Sequence, residues 1–209
     1  MEIRRIRADE GLRLRALRLR ALGDSPTAYG STLASEELYP ESIWHERAAS
    51  GAAGDKVVTI VVEHDNRLLG MATGLAADSP THDELNPTMV AVFVDGTVRQ
   101  QGVGVGLVEK VIDWAKARGS ARLFVWITSG NEPAVALYRR CGFRVTGATR
   151  PNAHTSTLVE CEMLLDLSRG IPSNPIVQGC RKTNCSRFGR LALRLPLSFV
   201  RCRVFIAVR

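Results

Sequence analysis

The sequence predicts a mixed α/β fold of the α+β kind: a mostly antiparallel central sheet flanked by helices. Three observations predict it. Apolar runs rich in β-branched residues recur, over residues 57–63, 90–94 and 122–128, as buried strands require. Amphipathic helical spacing lies between such runs, clearest where Leu107, Val108, Val111, Ile112 and Ala115 share one face;. Asp65-Asn66 joins two strand-like runs in the manner of a tight hairpin;. A strand meander followed by a strand–helix–strand crossover makes a sheet of mixed direction.

The elements follow in order. Residues 2–6 form a short strand, and Asp9 is placed to cap a helix reaching about Leu22;. Gly23-Asp24-Ser25-Pro26 breaks the chain, and residues 29–32 form a loop;. Pro40 and Ser42 introduce a helix through Ala49, with a turn over residues 51–56. Strands over 57–63 and 68–76 make the hairpin, and residues 77–87 read as a polar loop. After the strand over 90–94 and its glycine-rich turn, helical period begins at Leu107 and stops at Gly119;. A strand over 122–128 leads to Asn131, a helix cap with Pro133 in the first turn, and a helix that stops at Gly142;. Strands over 143–149 and 157–167 close the domain around a loop holding His154.

The chain has 209 residues, enough for one domain with a sizeable core plus an appendage;. Its formal charge of +7 is unevenly spread. Residues 1–169 carry 20 basic and 21 acidic side chains, whereas residues 170–209 carry eight basic and no acidic ones. The main body is therefore near neutral, which argues against a nucleic-acid-binding face on it. Residues 1–168 are expected to form the folded domain. Residues 169–209 are read as a basic tail, with three readings open: disordered, packed on a partner chain, or an extension outside the working protein. Basic clusters attract anionic surfaces, so a membrane-surface or nucleic-acid arm also fits the tail.

The first ten residues, MEIRRIRADE, are too charged for the apolar part of a secretion signal;. No stretch approaches the roughly 20 apolar residues of a membrane span. A soluble cytoplasmic protein is expected, and a homodimer is left open. Five cysteines, an odd number without a secretion signal, argue against a disulfide framework;. Cys180 and Cys185 lack a second pair or a nearby His, so no metal site is expected;.

Chemistry concentrates at the junction after residue 94, where Arg99, Gly102 and Gly104 give R-x-x-G-x-G. Helix N-termini present unpaired N–H groups and partial positive charge, and glycines let backbone approach an anion. A dinucleotide fingerprint would need Gly where the chain has Leu107, and no Gly-Lys-Ser/Thr of a phosphate loop is present;. On the glycines alone, tight packing of an ordinary strand–turn–helix accounts for them about as well. A second motif is N-x-x-A-x-x-x-Y-x-x-x-G-F: Asn131, Ala134, Tyr138, Gly142 and Phe143. Asn131 and Tyr138 are seven apart, two helical turns, and so lie near one face;.

The two motifs, in this order and with a strand between them, resemble the GNAT superfamily of N-acetyltransferases. The resemblance covers about residues 1–168. It implies acetyl-CoA as donor, a small-molecule amine or protein amino group as acceptor, no metal, and direct transfer in a ternary complex. It also implies middle strands that splay apart, between residues 90–94 and 123–128, to admit the pantetheine arm. Backbone groups of Val92, Phe93 and Val94 would pair with that arm. Amides of Gln100, Gln101, Gly102, Val103, Gly104 and Val105 would hold the pyrophosphate, with Arg99 opening the turn. Asn131 would touch the pantetheine or bound water, and Tyr138 would protonate the departing thiolate.

The residue types suit that chemistry. A strand N–H can stabilise the oxyanion of the tetrahedral intermediate, and a neutral phenol is a suitable proton donor. The amine must lose its proton, which calls for a base. Some relatives place a carboxylate five residues before the motif's Asn; that position here is Trp126. The missing acid keeps a second implication alive, a non-catalytic acyl-CoA-binding sensor or interaction module. Glu36, Glu37, His82, Asp83 and Glu84 lie in expected loops that could line the acceptor side, and are read first as solvated surface groups. Trp126 and Cys141 are expected to pack in the core, and His154 to be exposed.

Overall fold

The computed structural model describes residues 1–76, 86–152 and 157–168. Its seven strands form one sheet in the order β1-β2-β3-β4-β5-β7-β6. They are β1 (Glu2–Arg5), β2 (Val57–His64), β3 (Arg67–Leu75), β4 (Thr88–Val94), β5 (Arg122–Thr128), β6 (Arg144–Pro151) and β7 (Val159–Asp166). All neighbours are antiparallel except β4 and β5. The helices are α1 (Gly11–Asp24), α2 (Leu33–Glu37), α3 (Glu41–Ala53), α4 (Val103–Ala117) and α5 (Glu132–Arg140).

β2 and β3 are buried on both faces, which explains their near-continuous apolar runs;. On one face Val61, Leu68 and Met71 pack with Leu14, Leu17 and Ala21 of α1 and Trp44 and Ala48 of α3. On the other, Val58, Ile60, Val62, Leu69 and Ala72 pack under α4, whose Leu107, Val108, Val111, Ile112 and Trp114 are all buried. Each such side chain contributes about 1.5–3 kcal/mol on burial. Trp114 fixes the seat of α4: its Nε1 donates to the Gly54 carbonyl at 2.7 Å. A Cβ on Gly74 would come within 2.6 Å of the Trp114 ring, so only glycine lets the helix lie this close to β3.

The hairpin turn is as expected: Asp65 and Asn66 both have positive φ, 47° and 59°, as a type I′ turn demands. Several expectations are corrected. Asp9 does not cap α1; the cap position is Glu10, which makes no side-chain cap bond. Its carboxylate is taken instead by Arg4 and Arg13 and by the Arg7 N–H. α3 runs past Ala49 and through Gly51 to Ala53, because packing of Trp44 and Ala48 outweighs the low propensity of one glycine;. Residues 33–37, not anticipated as regular structure, form α2, closed by a Thr32–Ser35 capping box;. α4 begins at Val103, a full turn before Leu107, since its glycines carry no apolar signal. The loop expected over 77–87 lies largely outside the described residues, as do His82, Asp83, Glu84, His154 and the tail from residue 169.

Candidate active site

β4 and β5 are hydrogen-bonded neighbours only at Thr88–Phe124 and Met89–Val125. Beyond those rungs the two strands diverge. One cause lies in β4, where Ala91 has φ 53° and the register against β3 slips between Met71 and Thr73. This is a β-bulge, and bulges bend the strand that carries them. A non-glycine residue in the left-handed region costs on the order of 1–2 kcal/mol, which the surrounding buried strand must offset.

The divergence leaves a cleft of about 70 Å³ that passes between the strands. Asn131, Ala134 and Tyr138 of α5 and its cap line one side; Ala28, Tyr29 and Trp126 line the rest, with residues 89–92 and 125–127 as walls. Tyr138 is 5% exposed and packs on Phe143, ring centroids 5.5 Å apart. Burial, with smaller contributions from Tyr29 and Cys141, pushes its phenol well above the ordinary range, so it stays protonated;. Asn131 Oδ1 accepts the Ala134 N–H at 3.2 Å, the expected cap. Trp126 lines the cleft rather than the core, because residues 123, 125 and 127 take the core-facing positions of β5. Its Nε1 is buried without a hydrogen-bond partner among the described residues. Cys141 is half-buried against the core, and burial raises its thiol.

A short segment spans the cleft mouth. Tyr29 Oη donates to the Val92 carbonyl at 3.2 Å, and Thr128 Oγ1 donates to the Thr27 carbonyl at 2.9 Å. Residues 27–29 are thus tied to both diverging strands. Burial pushes the Tyr29 phenol up to about 12, although the Arg18 guanidinium, 4.7 Å above its ring, acts in the opposite direction. Arg18 is itself held by Glu36, with Nη2 to Oε1 at 2.8 Å. Glu36 is therefore not a solvated loop residue: it is 2% exposed, in α2, and paired also with Arg47 at 3.0 Å.

The glycine-rich turn lies at the end of β4. A 3₁₀ turn over Gly96–Val98 precedes it. Gln100 and Gly102 have φ 63° and 80°, and α4 starts directly afterwards. The first intrahelical bond runs from the Gly106 N–H to the Gly102 carbonyl at 3.1 Å. The N–H groups of Val103, Gly104 and Val105 thus have no partner within the helix. Left-handed residues at alternate positions turn successive N–H groups into an anion-binding concavity, and a Cβ on Gly102 would meet nothing within 4 Å. Gln101 Nε2 donates to the Thr97 carbonyl at 3.4 Å. The Arg99 side chain turns away from this concavity: Nε donates to the Val94 carbonyl at 2.9 Å and Nη2 pairs with Asp24 at 2.5 Å. Ser25 and Arg99 together hold the Asp24 carboxyl below the usual range.

Val92 lines the cleft, half-buried Val94 packs against the core under α4, and Phe93 is buried on the α1–α3 face. Of the sequence-predicted residues, Val92, Asn131 and Tyr138 thus line the cleft and Gln100 to Val105 form the adjoining turn, whereas the side chains of Phe93, Val94 and Arg99 lie elsewhere. Tyr29 and Thr128 are not marked by the sequence and Glu36 is misread as a surface acid, since their roles depend on partners distant in sequence.

Among characterised proteins, N-acetyltransferase 8 of Homo sapiens is 32% identical over 87 residues, 42% of this chain and 38% of that protein. The [ribosomal protein bS18]-alanine N-acetyltransferase of Salmonella typhimurium is 28% identical over 101 residues, 48% of this chain and 64% of that one. The aligned part thus spans less than two thirds of either relative. Among solved structures, the yncA protein of Salmonella typhimurium, with its cofactor acetyl-CoA, superposes with a TM-score of 0.68 at 18% identity, over 84% of this chain and 99% of that one. The sequence model of the Acetyltransferase (GNAT) family matches residues 21–143, a span that holds the bulged strand, the turn, α4, β5 and α5. The chain belongs to the GNAT acetyltransferase family.

Proposed function

We propose that this protein is an acetyl-CoA-dependent N-acetyltransferase that moves an acetyl group to an amine by direct transfer in a ternary complex. The observation that carries the reading is the cleft between β4 and β5, which combines exposed strand backbone, Asn131 and Tyr138 and adjoins a turn of unpaired amides. Pantetheine would lie along Val92, Phe93 and Val94, with Asn131 beside it. Pyrophosphate would sit on the amides of Gln100, Gln101, Gly102, Val103, Gly104 and Val105. Arg99, folded onto Val94 and Asp24, would meet the pyrophosphate only after leaving those partners. The Tyr29 hydroxyl would likewise yield the Val92 carbonyl.

Tyr138 acts as the acid in this reading. A phenol kept neutral by burial holds the proton that the leaving thiolate needs;. Strand N–H groups beside the bulge would stabilise the oxyanion. The acceptor is an amine of a small molecule or a protein. Likeness to an alanine N-acetyltransferase of a ribosomal protein makes a peptide N-terminus the first acceptor to try. A cytoplasmic location belongs to the same proposal. Among the described residues, no helix is long and apolar enough to cross a membrane.

Trp126, in place of a carboxylate beside the cleft, favours a second reading: an acyl-CoA-binding sensor without turnover. Calorimetry with acetyl-CoA tests both, and binding weaker than micromolar would defeat them together. Thiol release from acetyl-CoA against a panel of amines separates enzyme from sensor.

A further inference from the structure

Trp126 lines the cleft directly after the last rung between β4 and β5, Met89–Val125. Side chains alternate along a strand. Val125 and Ile127 enter the core under α4, with Tyr138, so Trp126 faces the other side of the sheet, where Tyr29 lies. Tyr138 and Trp126 thus address the cleft from opposite faces. The Trp126 Nε1 is buried and, among the described residues, unpaired. A buried N–H without an acceptor carries the full cost of its lost hydration. Such an orphan in a cleft wall calls for a partner from outside the chain.

The ring is braced. Arg150 of β6 lies 4.2 Å over its face, and that guanidinium is fixed in turn by Glu160 of β7, Nε to Oε2 at 2.6 Å. Asn152 donates to the other oxygen of the same carboxylate at 3.1 Å. Two strands beyond the cleft therefore hold a donor of β5 in place, and a donor held in place loses little entropy on binding. An indole N–H only donates, and an ammonium only donates. Trp126 therefore reads an oxygen near the acceptor's nitrogen, not the nitrogen itself. The cleft of about 70 Å³ has room for about two or three water-sized groups. An oxygen that meets Trp126 while the nitrogen meets the thioester must lie within a few bonds of that nitrogen. The thioester oxygen has donors of its own in the β4 backbone, which makes no rung with β5 beyond Met89.

We propose that Trp126 sets acceptor specificity: its Nε1–H donates to the carbonyl oxygen of an α-aminoacyl group. The acceptor is then an aminoacyl amide or a peptide N-terminus, not a plain alkylamine or polyamine. This rests on the acetyltransferase reading above. An α-aminoacyl group places its carbonyl oxygen at the separation from nitrogen that the cleft allows. An alkylamine offers no such oxygen and leaves the indole N–H orphaned, and a site built around a buried hydrogen bond rejects ligands that cannot make it. The Arg150–Glu160 pair steadies the ring without adding net charge to the wall.

The test compares wild type with Trp126→Phe, which keeps a ring under Arg150 and removes the N–H. The acceptors are alaninamide and sec-butylamine, the same skeleton without the carbonyl. Thiol release gives kcat/KM for each amine, and the readout is their ratio, in which a general loss of activity cancels. The preference for alaninamide should fall about threefold or more in the variant, the scale of one lost hydrogen bond. An alanine-ended tripeptide amide should show the same fall, and its kcat/KM beside that of alaninamide tells a peptide N-terminus from a free amide. A fall of less than about threefold in a folded variant overturns the proposal. So does a loss that appears in acetyl-CoA affinity, or equally with both amines, which gives the N–H to acetyl-CoA instead. If the variant fails to fold, the wild type with CoA bound decides: the Trp126 indole N–H signal in NMR should move downfield with alaninamide and stay in place with sec-butylamine. Movement with both amines, or with neither, overturns the proposal. Acetyl-CoA binding without thiol release to any amine would defeat the enzymatic reading and this inference with it; release with an unmoved ratio would defeat this inference alone.

Discussion

Replacing Glu36 by Gln should destabilise the protein far more than a nominal surface change. Glu36 holds Arg18 through Nε at 3.1 Å and Nη2 at 2.8 Å, and Arg47 at 3.0 Å, and it accepts from Ser31. Its side chain is 3% exposed, against 12% for Arg18 and 30% for Arg47. Glutamine keeps the shape but leaves two guanidiniums facing an uncharged amide. Breaking a buried pair costs about 3–5 kcal/mol. Arg47 keeps part of its water and stacks on Tyr39 and Trp44 at 5.1 and 4.8 Å, which reduces the loss;. An effect of about 2–3 kcal/mol remains, and at about 2–4 °C per kcal/mol for a chain of this size the midpoint should fall by roughly 4–12 °C.

Urea denaturation followed by tryptophan fluorescence measures it. The pH dependence supplies the sign. Burial acts to raise the Glu36 carboxyl, but Arg18, Ser31 and Arg47 outweigh it and hold it below its ordinary 4.5. The stabilisation is therefore complete above that value and fades as pH falls through the lowered one. The gap between wild type and variant should narrow on acidification. A gap below about 0.5 kcal/mol at neutral pH, the scale of ordinary surface changes, would refute the reasoning, as would one that widens in acid.

Other expectations are briefer. Tyr138→Phe should bind acetyl-CoA as wild type does in calorimetry and lose about 10²–10⁴-fold in kcat, the range for a missing general acid; unchanged turnover removes its role. Gly74→Ala should cost about 1–3 kcal/mol in urea denaturation by overpacking against Trp114;. Glu10, held down to about 2 chiefly by Arg4, contributes stability that is full above its ordinary 4.5 and lost as pH falls toward 2; Glu10→Gln should flatten the acid limb of the stability curve.

What sequence reveals here depends on where each determinant lies. The β2–β3 hairpin, β5 and the caps of α5 are set by neighbours in the chain, so local chemistry predicts them closely. α4 is placed a turn late, because Gly104 and Gly106 are silent in a hydrophobic pattern while packing holds the backbone helical. Glu36 looks like a surface acid, since its partners Arg18 and Arg47 come from two other helices. Alternation shows that Trp126 and Val125 face opposite ways but not which way is the core; here, the cleft takes the larger side chain. The divergence of β4 and β5 was expected only through family resemblance, since an alanine at φ 53° has no signature in sequence.

The two rungs between β4 and β5 have a mechanical meaning. Sheets usually keep their unsatisfied rims at the periphery, where charge or bulges guard them against stray strands. This one opens a rim in its middle, between a four-stranded half and a three-stranded half, and flanks it with α5 and the segment over residues 27–29. An extended ligand with amide groups of its own can complete the ladder there as a temporary strand. In the proposed acetyl-CoA complex the pantetheine arm would be that strand, and the sheet a frame whose missing rail the ligand supplies.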